Sequence, residues 1–135
     1  MRGMAMSGAI FAAGMFVGVV LAQQQRTPPT ESRGFRTDVL ATLDLAEEIE
    51  GMSGRQLRMR RITVEPDGQF AVHDHRDRPG LFYIQDGTIT EYPEGAEARV
   101  HSAGQAVAVG LRTRHWEENR GTSPVIVIAV DVVKK

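Results

Sequence analysis

The stretch DGQFAVHDHRDRPGLFYIQDG, residues 67–87, decides the fold prediction for this chain. It has the composition of β-strands and places His73 and His75 two residues apart. Alternate residues of a strand point to the same face, so both imidazoles can converge on one point. The stretch ends in Asp86-Gly87, a dipeptide typical of tight hairpins, which predicts that the next strand folds back there.

Short strand candidates separated by turn signals fill the rest of the chain. We predict strands at residues 57–65, 69–73, 81–85, 88–92, 98–102, 106–109, 114–117 and 125–133. Pro66-Asp67-Gly68 has the chemistry of a turn between the first two. Many short strands without a long helical period indicate an antiparallel sandwich or barrel. The last strand is apolar on both faces for most of its length, which predicts a central strand covered on both sides.

The N-terminal third has a different composition. Residues 4–22 carry no charge, and Val20-Leu21-Ala22 has the small residues that a signal peptidase needs. This predicts a signal peptide, residues 1–22, and an exported, periplasmic or secreted protein. The alternative is a retained membrane anchor, because roughly 20 apolar residues can span a bilayer. Residues 23–36 are rich in Gln, Thr, Pro and Ser and are interpreted as a flexible linker.

The remaining residues, 37–135, are expected to form one domain. Residues 37–52 fit a short helix and an irregular strand equally well. With 16 Lys+Arg against 17 Asp+Glu the net charge is -1, and the sequence shows no basic tract, so nucleic acid is not an expected partner. Cysteine is absent, so any metal must be held by His, Asp or Glu.

A third histidine, His115, lies in a second stretch of interest, GQAVAVGLRTRHWEEN, residues 104–119. Three imidazoles from two distant strands are enough to make an open metal site. Zinc, iron(II) and copper all accept three neutral nitrogens and leave positions for water or substrate. The sequence therefore predicts a divalent transition metal, which can be Fe, Zn, Cu, Mn or Ni, held by His73, His75 and His115.

These two stretches resemble the two conserved motifs of the cupin superfamily. In the first, His73, His75 and Gly87 match, with Gly68 one residue closer than usual. The second motif is matched by Gly104, His115 and Asn119, while Gly110 and Arg112 replace its Pro and Gly. The chain is also similar to small exported single-domain cupins of bacteria. The resemblance implies an all-β jelly-roll barrel, a metal centre and a homodimer.

One departure from the family pattern concerns the fourth ligand. Most metal-binding cupins have a glutamate where this sequence has Gly80, or Pro79 if the spacing is one residue shorter, and neither can ligate through a side chain. The resemblance then implies a three-histidine site, with loose kinship to cupin dioxygenases that act on thiols, diketones or dihydroxy aromatics through iron(II). Without a carboxylate the centre keeps the full charge of its ion and favours a small anionic substrate. Gly80 is expected to leave space beside the metal, within a cavity wall that also contains Phe82, Ile84 and Trp116.

Two further side chains are candidates for catalysis. Glu117, two residues beyond His115, is a candidate acid or base, and Arg112 is a candidate partner for a substrate carboxylate. The alternative is that this charged segment is a solvated edge. His101 lies outside the motifs and is interpreted as structural, and Arg76-Asp77-Arg78 as a loop ion pair.

Three functions are compatible with these patterns, because the fold does not set the function. The first is an oxygen-using metalloenzyme acting on a small anionic molecule. The second is a periplasmic module that binds a small molecule or a metal without turnover. The third is a structural or interaction barrel that needs none of the histidines.

Overall fold

The computed structural model describes residues 26–135, which form eight β-strands and no helix. The strands are β1 (Arg33–Asp44), β2 (Arg55–Asp74), β3 (Gly80–Asp86), β4 (Thr88–Pro93), β5 (Arg99–Ser102), β6 (Ala106–Val109), β7 (Arg114–Glu118) and β8 (Val125–Lys134). The all-β prediction is confirmed for this part of the chain. The predicted signal peptide or anchor, residues 1–22, lies outside it. No helix within residues 26–135 is long and apolar enough to cross a membrane.

The long strand β2 holds the two layers of the curled barrel together. Its first half pairs with β1 and β8, and its second half pairs with β7. The first layer therefore has the order β1-β2-β8-β3-β6, and the second has the order β2-β7-β4-β5. Every pairing is antiparallel. This arrangement agrees with the jelly-roll that the resemblance implied.

Apolar side chains from both layers fill the interior. The buried cluster consists of Ile62, Val64, Ile84, Ile89, Val125, Val127 and Ala129, with Phe70 and Phe82 packed against it. β8 lies between β2 and β3, as predicted for the last strand. Its odd-numbered residues are buried, but its even-numbered residues from Ile126 to Val132 are only half-buried. The barrel interior therefore covers one face, and coverage of the outer face by a neighbouring subunit stays a prediction.

The segment Pro66-Asp67-Gly68 does not reverse the chain, so the predicted turn is wrong. Asp67 has a positive φ of 58°, and the pairing of β1 with β2 shifts register there. The three residues form an excursion within a continuous strand, as in a bulge. A Cβ on Gly68 would lie 2.4 Å from the carbonyl oxygen of Gly34, so only glycine fits this close approach. The Asn119 side chain donates a hydrogen bond to the Val64 carbonyl beside it.

A second irregularity in β2 lies between Phe70 and His73. Phe70 pairs with Glu117 and His73 pairs with His115, so β2 uses three steps where β7 uses two. One extra residue is therefore accommodated in β2. Because side chains alternate along a strand, this extra residue changes which ones point inward. Phe70 faces the interior before it, and His73 faces the interior after it.

The segment Asp86-Gly87 also differs from its prediction. β3 pairs with β6 and β8, whereas β4 pairs with β5 and β7. The two strands therefore belong to different layers and form no hairpin. Gly87 has a φ of 79°, and a Cβ there would meet the Pro124 carbonyl at 3.1 Å. This glycine lets the chain turn the corner between the layers in a crowded place.

The C-terminal end of the predicted linker, residues 23–36, overlaps the first strand of the structure. β1 begins at Arg33 and continues to Asp44, which also resolves the helix-or-strand ambiguity in favour of a strand. Even before β1 the chain is tied to β2: the Val72 N–H donates to the Pro29 carbonyl at 3.1 Å, and the Ala71 N–H donates to Ser32 Oγ at 2.7 Å. Backbone pairing thus orders a segment whose side chains bury little.

Candidate metal centre

Three histidines from two neighbouring strands converge in the barrel interior. His73 lies near the end of β2, His75 follows that strand, and His115 lies in β7 opposite His73. Their ring centroids are 4.8 to 5.0 Å apart. One ligating nitrogen from each ring lies within 4.8 Å of the others. The structure therefore brings together the three histidines that the sequence singled out.

Backbone carbonyls fix the orientation of the two histidines at the end of β2. The Nδ1 atom of His73 lies 2.9 Å from the carbonyl oxygen of Ala71, and that of His75 lies 3.2 Å from the carbonyl oxygen of Arg78. A carbonyl oxygen can only accept, so each Nδ1 must carry the hydrogen. Nε2 of each ring then keeps its lone pair, which is the form that binds a metal.

A carboxylate does the same for the third histidine. The Nδ1 atom of His115 lies 2.7 Å from Oε1 of Glu91, while Oε2 of Glu91 lies 2.8 Å from Nε2 of His101. The hydrogen bond with His115, helped by the one with His101, lowers the pKa of Glu91 to about 2 despite its burial. Glu91 is therefore ionised at pH 7 and accepts from both rings. His115 thus also has its hydrogen on Nδ1 and a lone pair on Nε2.

Two of these lone pairs face each other. Nε2 of His75 lies 3.0 Å from Nε2 of His115, and both side chains are buried. With both hydrogens on Nδ1, no proton is left to bridge the two nitrogens. Ligand atoms about 2.0 to 2.1 Å from one ion stand roughly 2.9 Å apart at a right angle and roughly 3.3 Å apart at the tetrahedral angle. The donor set therefore fits a divalent transition ion.

Burial keeps these rings in the metal-binding protonation state. Desolvation lowers the pKa of His73, and it lowers the pKa of His75 to about 4. Both rings are accordingly neutral at pH 7 and do not need to lose a proton before they bind a cation.

Glu117 reaches the same point from β7. Its Oε1 lies 3.2 Å from Nε2 of His115, and its Oε2 is buried without a hydrogen-bond partner among residues 26–135. Burial raises the pKa of Glu117 to about 7, with a further contribution from the negative charge of Glu91. Glu117 and His115 therefore lie on the same face of β7, as expected for residues two positions apart on a strand.

A small cavity of about 100 Å³ adjoins the histidines. Its walls are mostly apolar, with Phe82 and Ile84 among them as predicted, and its polar lining includes Arg60 and Arg78. Both arginines belong to a cluster around Asp131, whose Oδ2 lies 2.7 Å from Arg60 and 4.0 Å from Arg78. Arg58 lies 3.0 Å from the same oxygen. Three cations around one carboxylate give this cluster a positive excess, while Glu91 and Glu117 place two acidic side chains elsewhere in the same cavity lining.

Other predicted site residues lie elsewhere. A Cβ on Gly80 would lie 2.7 Å from the Val130 carbonyl oxygen and 3.0 Å from Cβ of Asp131, so the space beside this glycine is already filled. The prediction that Gly80 leaves room beside the metal is therefore wrong. Trp116 is not a wall of the histidine cavity either: it points to the other face of β7 and stacks on Tyr92, with ring centroids 3.9 Å apart.

The contacts of Arg112 and of the segment Arg76-Asp77-Arg78 also differ from those predicted. Arg112 is exposed in the turn before β7 and does not line the cavity, so it is poorly placed to hold a buried substrate. Asp77 pairs with Lys134 rather than with its neighbours, while Arg76 pairs with Asp74. Arg78 turns toward Asp131 instead. The predicted loop ion pair is replaced by these contacts.

Sequence reasoning missed Arg60, Arg78, Asp131 and Glu91, and it gave His101 no part near the site. Asp131 carried a usable signal, because a single acid in the apolar run PVIVIAVDVV must be paired if it is buried. Glu91 and His101 had none, because their meeting depends on the register of β4 with β5 and β7.

Several solved structures share this fold. KdgF from Halomonas sp. is 16% identical, with 73% of this chain and 78% of that chain covered and a TM-score of 0.57. A cupin 2 conserved barrel domain protein from Salinispora arenicola is 17% identical over 78% and 80% of the two chains, with a TM-score of 0.56. A recombinant oxalate oxidase in complex with glycolate is 19% identical over 75% and 55%, with a TM-score of 0.55. At these identities the likeness concerns the fold alone.

Sequence comparison gives the family. A search of curated proteins found no match. The family model for the cupin domain (Cupin_2) matches residues 60–131, which is more than half of the 135 residues and includes all three clustered histidines. Together with the barrel, this match establishes that the chain belongs to the cupin domain family.

Proposed function

We propose that this cupin binds a divalent transition metal through His73, His75 and His115 and acts as an oxygenase-type metalloenzyme on a small anionic substrate. The observation that carries the proposal is the 3.0 Å approach of two Nε2 atoms whose lone pairs face each other. Such an approach is repulsive for neutral imidazoles and becomes favourable when a cation lies between them. A bound ion would supply a Lewis acid and, if it is iron or copper, a redox centre.

The arginine cluster on one side of the cavity supports an anionic substrate. Arg60 and Arg78 line it, and Asp131 is the carboxylate that pairs with them. Nε of Arg60 is buried and lacks a hydrogen-bond partner within the described part of the chain, so one donor is left for another acceptor. A carboxylate substrate would satisfy that donor and the positive excess together. Glycolate, which is bound in the structurally similar oxalate oxidase, is a small carboxylate anion of this kind.

The first experiment is metal analysis of tag-free protein purified from its native compartment. We expect about one divalent ion per chain, which is lost in His75→Ala and in His115→Ala. Arg112→Ala is the matched control, because this side chain is exposed outside the cavity. A wild-type protein without metal, which also fails to take up added Fe²⁺, Zn²⁺ or Cu²⁺, would contradict the proposal and favour the structural barrel.

The second experiment separates an enzyme from a binding module. Iron-loaded protein is incubated with small carboxylates, thiols, diketones and catechols while oxygen consumption is recorded. We expect uptake with at least one anionic substrate, and loss of that uptake in Arg60→Met, which keeps much of the length of the side chain without its charge. Metal-loaded protein that consumes no oxygen with any of these compounds would support the non-catalytic module instead.

Homodimer formation and export stay predictions. The outer face of the first layer carries exposed apolar side chains at Met59, Leu81 and Tyr83, which are 39%, 60% and 46% exposed. We propose that this face forms a two-fold contact with a second copy, and light scattering of the purified protein measures the mass. Cleavage after Ala22 is checked by N-terminal sequencing of protein isolated from its native host.

A further inference from the structure

One carboxyl group near the histidines has no structural partner that explains it. The side chain of Glu117 is 11% exposed, and Oε2 has no hydrogen-bond partner within residues 26–135. Within residues 26–135, no lysine or arginine nitrogen lies within 4.0 Å of the Glu117 carboxylate oxygens. The basic side chain within that distance is His115, at 3.2 Å. A buried carboxyl group without a compensating charge or donor is energetically unfavourable. A bound group of positive charge beside this carboxylate would remove that cost.

The direction of this side chain agrees with such a bound group. Glu117 and His115 are two residues apart on β7 and share its inner face. Oε1 approaches Nε2 of His115, which is the nitrogen that also faces His75. A carboxylate oxygen and an imidazole nitrogen bound to one ion at about 2.0 to 2.2 Å stand roughly 2.9 to 3.4 Å apart. The observed 3.2 Å lies in that interval for His115. The Glu117 carboxylate does not belong to the set of atoms that all lie within 4.8 Å of one another, so its side chain must shift toward His73 and His75 to share the ion.

The position from which a carboxylate was expected cannot provide one. Gly80 has no side chain, and a built Cβ would already collide with the Val130 carbonyl oxygen. A larger residue at position 80 would therefore disturb the pairing of β3 with β8 rather than reach the histidines. Glu91 is unsuitable as well, because its two oxygens are occupied by His115 Nδ1 and His101.

We propose that Glu117 is the fourth protein ligand of the metal centre and supplies from β7 the carboxylate that the first motif lacks. This inference rests on the proposed metal site. It makes the centre a three-histidine, one-carboxylate site, whose net charge with a divalent ion is one unit lower than that of three histidines alone. The positive excess that attracts an anionic substrate would then come from Arg60 and Arg78 rather than from the ion.

The test uses Co²⁺ as a spectroscopic probe of the full chain. Co²⁺ affinity is measured by competition with a chelator, and visible absorption reports the ligand set. For Glu117→Gln we expect a loss of affinity on the order of 100-fold or more, at least the effect of removing an outer-shell partner, together with a changed Co²⁺ spectrum. Glu118→Gln is the matched control: it is the next residue, points to the other face and contacts Tyr92, and it should leave both readouts unchanged.

The stability of the metal-free proteins separates a ligand from a structural residue. Because Glu117 lacks a partner, metal-free Glu117→Gln should be at least as stable as the wild type; Glu117→Ala serves if the amide variant does not fold. Wild-type-like Co²⁺ affinity and spectrum in either variant would overturn the role of Glu117 while leaving the metal site intact. If the wild type itself binds no Co²⁺, the proposed function fails first, and His75→Ala provides that baseline.

Discussion

Each ring nitrogen of His115 faces a buried carboxyl group, and the two carboxyl groups have different surroundings. On the Nδ1 side, Glu91 accepts hydrogen bonds from two histidines, and its pKa is lowered to about 2. On the Nε2 side, Glu117 has an oxygen with no hydrogen-bond partner in the described chain, and burial raises its pKa to about 7. Both side chains are largely buried. The comparison shows that hydrogen-bond partners, not depth, decide which carboxyl group is stable as an anion, and that the uncompensated side is the one that faces the cluster.

The largest effect is expected when the compensated carboxylate is removed. Glu91→Ala leaves the Nδ1–H of His115 and the ring of His101 without their buried acceptor, so we expect a loss of unfolding free energy of about 3 to 4 kcal/mol. Urea unfolding of the metal-free protein at pH 7 measures it. Glu117→Ala should lose far less in the same assay. Equal losses for the two variants would show that the two sides do not differ in this way.

The uncompensated carboxyl group should give a pH dependence opposite in sign to that of a hydrogen-bonded carboxylate such as Glu91, whose pKa is lowered. The folded pKa of Glu117, about 7, lies above the ordinary glutamate pKa of 4.5, so the stabilisation is complete at low pH and is lost as pH rises from 4.5 through 7. Relative to Glu117→Gln, the metal-free wild type should lose about 2 to 3 kcal/mol between pH 5 and pH 8. Denaturant unfolding at both pH values tests it. A constant difference between the two proteins would contradict the raised pKa.

The histidine that faces this side should show the reverse trend. Desolvation lowers the pKa of His75 to about 4 from the ordinary histidine value of 6.5. The unfolded chain therefore binds the proton more readily, and stability is lost as pH falls from 6.5 toward 4. Compared with His75→Gln, the metal-free wild type should lose about 2 kcal/mol between pH 7 and pH 5. His101→Gln is measured in parallel as the control. It should keep the pH-dependent loss of the wild type if this loss belongs to the His75 ring.

The smallest effect concerns the outer partner of Glu91. His101→Ala removes one of the two donors to this carboxylate but keeps the bond to His115. We expect metal affinity to fall by about 10-fold, at the low end for residues that orient a ligand. The measurement is the same chelator competition with Co²⁺. A loss as large as that of His115→Ala would mean that His101 does more than hold Glu91.

The sequence allowed the fold class and the three histidines to be predicted, because strand alternation and motif spacing are local. His73 and His75 needed only a strand, and His115 needed only its distance from Gly104 and Asn119. The partners of these histidines were harder, because they depend on which strands pair. Once Asp86-Gly87 was interpreted as a hairpin, β4 was expected beside β3, whereas its actual neighbours are β5 and β7.

The same reason explains the error around Gly80. Whether the space beside a glycine is open depends on the neighbouring strand, and here Asp131 of β8 lies opposite Gly80. The error around Trp116 has another origin. Trp116 is one residue from His115, so strand alternation alone places it on the other face of β7, where it stacks on Tyr92. Counting two residues from His115 gives the inward direction of Glu117 in the same way.

The extra residue in β2 between Phe70 and His73 makes the histidines dependent on chain length. The Ala71 carbonyl group accepts a hydrogen bond from His73 Nδ1. The N–H groups of Ala71 and Val72 donate to Ser32 Oγ and to the Pro29 carbonyl of the N-terminal segment. Deleting a single residue here would keep the strand but turn His73 and His75 to the outer surface, because side chains alternate between the two faces of a strand. The presence of the three histidines in a relative is thus not enough to predict the metal centre, because the number of residues between Phe70 and His73 also decides which face His73 and His75 occupy.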